Sequence, residues 1–141
     1  MSTGLSHITF IVTDLDRMQT ILERVLGARC IYNSGPAQFS LSEERFFLVG
    51  DVWIATMLGD PLPARSYNHV AFKVDEAELD ARIAEIKALG LDLRPPRPRV
   101  EGEGRSAYFH TPDNHLIELH TGTLDDRLAR YAAPAPQPPR S

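Results

Sequence analysis

The sequence predicts an α+β protein built from two copies of one strand–helix–strand–strand–strand module. Two observations carry this. HITFIV begins at His7 and HVAFKV at His69, 62 positions apart, and each opens a strand that runs into a helix closing on Leu-Gly. The same offset takes Phe10 to Phe72, Val12 to Val74 and Phe46-Phe47 to Tyr108-Phe109, and a shift of one takes Gly27 to Gly90. A repeat of this length marks two modules of common architecture. Each should form a small curved sheet with a helix outside it, and two such sheets can make a cup.

The elements follow in order. In residues 7–12 His7, Thr9 and Ile11 alternate with Ile8, Phe10 and Val12, the period of a half-buried strand. Thr13 and Asp14 can cap a helix carrying Met18, Ile21, Leu22, Val25 and Leu26 at helical spacing, and Gly27 can end it. Residues 29–33, 37–41 and 45–57 read as strands, with a tight turn at Gly50-Asp51. The proline-rich stretch 59–66 reads as a linker. The second half repeats the order: a strand at 68–74, a helix at 76–89, short strands near 91–94 and 105–110, a Thr-Pro-Asp-Asn turn, and a strand at 115–120. This divides the chain into modules 1–60 and 61–131. Residues 132–141 have the composition of a disordered proline-rich tail.

Composition narrows the function classes. The chain has 141 residues and a net charge of −4, and its pI near 5.7 gives no basic surface for nucleic acid. Cys30 is alone, so no intrachain disulfide forms, and a reducing cytoplasm is the expected compartment. No apolar run approaches membrane-spanning length. His7 and Thr9 share one strand face, His69 and Ala71 another, and Leu116, Glu118 and His120 a third. If these are the inner faces of the cup, two imidazoles and a carboxylate converge, a set that suits Mn²⁺, Fe²⁺ or Zn²⁺ and leaves positions open. A lone histidine on a strand is ordinarily a hydrogen-bonded structural residue. Two repeat-related histidines with a glutamate, a residue depleted in strands, favour a ligand set. The offset pairs Glu118 with Thr56, which puts the acidic ligand in the second half only. His110 and His115 flank a turn and should be exposed, whereas His120 can support Glu118 from behind.

Several stretches carry a family resemblance: GLSHITFIV at 4–12, SLSEERFFLVGDVWIA at 40–55, RSYNHVAF at 65–72, RPPRPRVEGEGRSAYF at 94–109 and DNHLIELHTGTLDDRLARY at 113–131. Over about residues 4–131 the chain resembles the vicinal oxygen chelate (glyoxalase/bleomycin-resistance) superfamily, and within it the fosfomycin-resistance epoxide hydrolases of the FosX type. The resemblance implies a homodimer whose βαβββ modules pair between subunits, with Mn²⁺ or another divalent metal bound by His7 of one chain and by His69 and Glu118 of the other. It implies that Glu44 is the general base that activates water. From the residues alone Glu44 belongs to a charged turn, SEER. It also implies that Thr9, Tyr67, Arg99, Ser106, Tyr108 and Arg127 bind the phosphonate of fosfomycin or line its pocket.

The implied reaction is addition of water to the epoxide, giving a diol phosphonate. The nearest alternative is a metal-dependent transferase adding glutathione or another thiol to the same epoxide. Two others are an Fe²⁺ ring-cleaving enzyme and a non-catalytic drug-binding protein of the same fold. Arg105 stands where thiol-transferring relatives carry an aspartate of a K⁺-binding loop, so a guanidinium is expected to take that cation's place.

Overall fold

The computed structural model describes residues 1–37, 39–96 and 101–133. The first half runs β1 (His7–Val12), α1 (Leu15–Leu26), β2 (Arg29–Asn33), β3 (Glu44–Val49) and β4 (Val52–Leu58). The second runs β5 (His69–Lys73), α2 (Leu79–Ala88), β6 (Asp92–Leu93), β7 (Ser106–His110) and β8 (Leu116–His120), and α3 (Leu124–Ala132) follows. Two four-stranded sheets result, ordered β1-β4-β3-β2 and β5-β8-β7-β6. In each, the first strand lies parallel to the last and the other pairs are antiparallel.

Local chemistry sets the helix ends. The Asp14 carboxylate accepts from Arg17 N, and Gly27 closes α1 at φ 66° with its amide donating to Glu23 and Leu22 carbonyls. A reciprocal capping box between Thr123 and Asp126 starts α3. The second helix begins later than the sequence suggests. Residue Glu78 caps it without a side-chain bond, and residues 76–78 form a turn in which Glu78 N donates to the Asp75 carbonyl.

One core joins the halves. Phe10, Met18, Ile21, Leu22, Phe47 and Ile54 of the first pack in the same cluster as Phe72, Leu79, Ile86, Phe109 and Ile117 of the second. The two helices meet, with Arg24 bridging Glu85 at 2.6 Å. Buried Asp113 ties the β7–β8 turn to the first half by accepting from both the amide and hydroxyl of Thr13. Burial of one face of each sheet against its helix leaves the other face free to carry function.

Two strand expectations need correction. Residues 37–41 form no strand among the described residues: β2 is an edge strand whose pairing ends as Ser34 N donates to the Glu44 carbonyl, and Phe39 and Leu41 beyond it are exposed. The repeat offset also fails in the last strand. Ala71, the counterpart of Thr9, pairs with Glu118, whereas Thr9 pairs with Ala55. Ala55, not Thr56, therefore corresponds to Glu118. Between equivalent pairs the second connection is one residue longer, running from His110 to Leu116 where the first runs from Leu48 to Trp53, and Asn114 takes φ 71° within it. Of the proline-rich tail, residues 134–141 lie outside the described residues.

Candidate functional site

On the uncovered face of the second sheet, register assembles a polar cluster. Leu116 stands between His69 and His110, Glu118 between Ala71 and Tyr108, and His120 between Lys73 and Ser106. The His69 ring is fixed by Nδ1, which donates to the Tyr67 carbonyl at 2.7 Å. Its Nε2 is then the nitrogen that faces Glu118 Oε1, 3.1 Å away. Two acceptors face each other there, and a proton or a metal cation must lie between them. Two donors bound about 2.1 Å from one metal at right angles lie about 3 Å apart, so the pair fits a divalent ion. Glu118 is buried, and its Oε2 accepts from Ser106 Oγ at 2.7 Å. Ser106 Oγ also lies 2.6 Å from His120 Nδ1.

Tyr67 and Tyr108 flank this pair. The Tyr67 hydroxyl donates to that of Tyr108 at 3.3 Å, and both rings pack edge-on against His69. Burial, then the Tyr67 hydrogen bond and the Glu118 carboxylate, push the Tyr108 phenol well above its usual range. It stays protonated and remains a donor. Beside it opens a cavity of about 470 Å³ lined by Arg65, Tyr67, Arg94, Tyr108, His110 and Leu116.

His110 is buried, against the expectation of exposure, and neither ring nitrogen has a hydrogen-bond partner. Burial lowers its pKa below 6.5, and Arg65 and Arg94 push the same way against Asp92. The unfolded chain takes up this proton before the folded one, so the contribution to stability is present above pH 6.5 and is lost as the pH falls below it. Thermal melts below pH 6.5 should show a shallower loss of stability for His110→Gln than for wild type; identical slopes would contradict this. A histidine at the end of an alternating strand, opposite Leu116, gave the signal for burial. Arg65 lines the cavity beside it, a neighbour that sequence reading could not place.

The first sheet contributes a separate set. His7 and Thr9 are exposed on its uncovered face, and the His7 ring packs on Trp53 with centroids 4.2 Å apart. The His7 Nδ1 lies 2.9 Å from Ser6 Oγ. Glu44 shares that face with Phe46, because Phe47 is in the core and Arg45 turns to Asp16 and Gln19 of α1. The Glu44 side chain is buried, and its backbone is pinned by Ser34, which meets both its amide and its carbonyl. Among the described residues no three potential ligands converge, so the single chain joins His69 to Glu118 but not to His7. Arg127 is half-buried on α3, and Arg99 lies outside the described residues. Arg105 does not serve the cup: its guanidinium meets Asp80 at 2.9 Å and Glu76 at 3.3 Å on the helix side. Asp80 of α2 and Glu76 of the turn before it hold this guanidinium away from the expected cation-replacing role.

Paired βαβββ halves with an open His–Glu pair define a metalloprotein of the glyoxalase class. The model described as Glyoxalase/Bleomycin resistance protein/Dioxygenase superfamily matches residues 4–119. Fosfomycin resistance protein FosX of Mesorhizobium japonicum is 62% identical over 132 residues, covering 94% of this chain and 95% of that relative. A glutamate-to-glutamine mutant of FosX from Listeria monocytogenes, solved with Mn(II) and 1S,2S-dihydroxypropylphosphonic acid, superposes with a TM-score of 0.84 at 51% identity, covering 93% of this chain and 99% of that one. Metallothiol transferase FosB of Shouchella clausii is 37% identical over 142 residues, covering 96% of this chain and 92% of that relative. The chain belongs to the FosX family of fosfomycin resistance proteins.

Proposed function

We propose that this chain is a Mn²⁺-dependent hydrolase that inactivates fosfomycin by adding water to its epoxide. The observation that carries the reading is His69 Nε2 facing Glu118 Oε1 at 3.1 Å, beside a phenol held in its donor form. His69 and Glu118 hold the metal, and His7 of a second copy completes the set. The metal supplies Lewis-acid stabilisation of the negative charge that develops on the epoxide oxygen.

The chain's own residues do the rest. Glu44 accepts a proton from water as the water oxygen bonds to the epoxide carbon next to phosphorus. The carbon–oxygen bond of the ring breaks, the released oxygen takes a proton from solvent, and Glu44 gives its proton back to solvent, so the net change is addition of one water. Tyr108 and Thr9 offer hydroxyl donors to the phosphonate, Tyr67, whose proton goes to the Tyr108 hydroxyl, lines the pocket beside it, and Arg127 and Arg99 supply positive charge. Ser106 lines the same pocket.

Support for a homodimer comes from two directions. His7 lies on a different sheet from its co-ligands. Leu124, Leu128 and Tyr131 expose an apolar face of α3, and Leu5, Phe39 and Leu41 expose more apolar surface, an arrangement suited to a second copy. No described helix is long and apolar enough to cross a membrane. With one unpaired cysteine and a phosphonate substrate that must be met before it reaches its target, the reading places the activity in the cytoplasm.

³¹P NMR of fosfomycin with metal-stripped protein plus Mn²⁺ tests the reaction. A diol signal without thiol is expected. Conversion only when glutathione is added would make the chain a transferase instead.

A further inference from the structure

We propose that His120 is a positioning residue that orients the metal carboxylate through Ser106. The inference rests on the reading of Glu118 as a metal ligand and adds two residues behind it. The strands bring the three groups together, because β7 and β8 pair Ser106 with His120 and Tyr108 with Glu118, all on the uncovered face. Ser106 Oγ is then 2.7 Å from Glu118 Oε2 and 2.6 Å from His120 Nδ1, both much closer than the direct 3.4 Å from His120 Nδ1 to Oε2.

The hydrogens have one favourable arrangement. A carboxylate only accepts, so the single Ser106 proton goes to Glu118. The same oxygen must accept from His120, which fixes the proton on Nδ1. The reverse direction would set the Ser106 lone pairs against Oε2 at 2.7 Å with nothing between them. A directed chain results, from His120 N–H to Ser106 O–H to Glu118 Oε2. It leaves Oε1 turned toward His69 Nε2, where the metal is needed.

The backbone around the relay is built to hold it. The loop before β7 crosses the chain after β8 at two glycines: a Cβ on Gly104 would come within 2.5 Å of Gly122 N. One on Gly122 would meet Glu103 O at 2.4 Å and His120 Nε2 at 2.8 Å. Reciprocal bonds lock the crossing, with Arg105 N donating to Thr121 Oγ1 and Thr121 N to the Arg105 carbonyl. The GEGRS and HTGT stretches thus pack the imidazole against the serine. Because the Ser106 proton is committed to Glu118, the phosphonate must find its donors elsewhere, on Tyr108, Thr9 and Arg127.

The test is Mn²⁺ affinity without substrate, followed by the electron paramagnetic resonance of the free ion. His120→Leu should weaken Mn²⁺ binding about 10–100-fold, the range typical of lost outer partners of metal ligands. His120→Asn places an amide N–H at the δ position and should restore affinity close to wild type. Ser106→Ala should match His120→Leu, and the double variant should lose no more than the weaker-binding single, because both break one chain. Unchanged affinity in His120→Leu and Ser106→Ala, with Glu118→Ala losing the metal, would overturn the relay and leave the metal site intact. Failure of Asn to rescue, or additive losses, would overturn it also. Unchanged binding in Glu118→Ala would instead remove the metal reading and the relay with it. If His120→Leu does not fold, Ser106→Ala and His120→Asn still decide the question.

Discussion

Glu44→Gln should lower fosfomycin hydration about 10²–10⁴-fold, the usual contribution of a general base, while Mn²⁺ and substrate still bind. The amide keeps the shape of the carboxylate and loses its ability to take a proton. Alternation in β3 gives Glu44 the uncovered face, and Ser34 fixes its backbone on both sides. Glu43 is the control: it precedes the strand and its carbonyl accepts from Leu58 N. Its glutamine variant should turn over close to wild type. Near-wild-type hydration by Glu44→Gln, measured by ³¹P NMR under Mn²⁺ saturation, would take Glu44 out of the mechanism.

Glu118→Ala should cost still more, because it removes a ligand rather than a helper. Mn²⁺ affinity should fall beyond the roughly 10–100-fold associated with lost outer partners, and hydration should fall with it. His7→Ala should do the same, although within one chain His7 packs on Trp53 in the other sheet, away from Glu118. An equal loss from two residues that one chain does not bring together has a simple physical cause, a site shared between copies. Titration of each purified variant with Mn²⁺ checks both expectations, and retained wild-type affinity in either would remove that residue from the ligand set.

Strand parity was the part of the site most legible in the sequence. Period-two alternation put His69 on one face of its strand and Glu118 on one face of another, and the fold turns both faces inward to a separation of 3.1 Å. In the structure Glu44 stands at the position equivalent to Ser106, since their partners Met57 and His120 correspond. The offset failed where the connection to the last strand grew by one residue, which made Ala55 the counterpart of Glu118. Long-range contacts were not legible. Arg105 reads as a loop cation until α2 and the turn before it bring Asp80 and Glu76 beside it. His110 reads as a turn residue until the fold brings Arg65, anchored on Asp92 and Asn114, to the same cavity. Residues 37–41 have the composition of a strand, but among the described residues they pair with no strand.

The site's assembly from two chains is tested most directly by mixing two inactive variants. His7→Ala and Glu118→Ala chains, coexpressed with different tags, give a heterodimer that can be isolated by purifying on both tags. In it, one site carries both substitutions and the other carries none. The heterodimer should therefore regain about half the wild-type rate of diol formation per dimer, since a twofold dimer has two equivalent sites. A heterodimer as inactive as its parents would contradict a metal site shared between subunits.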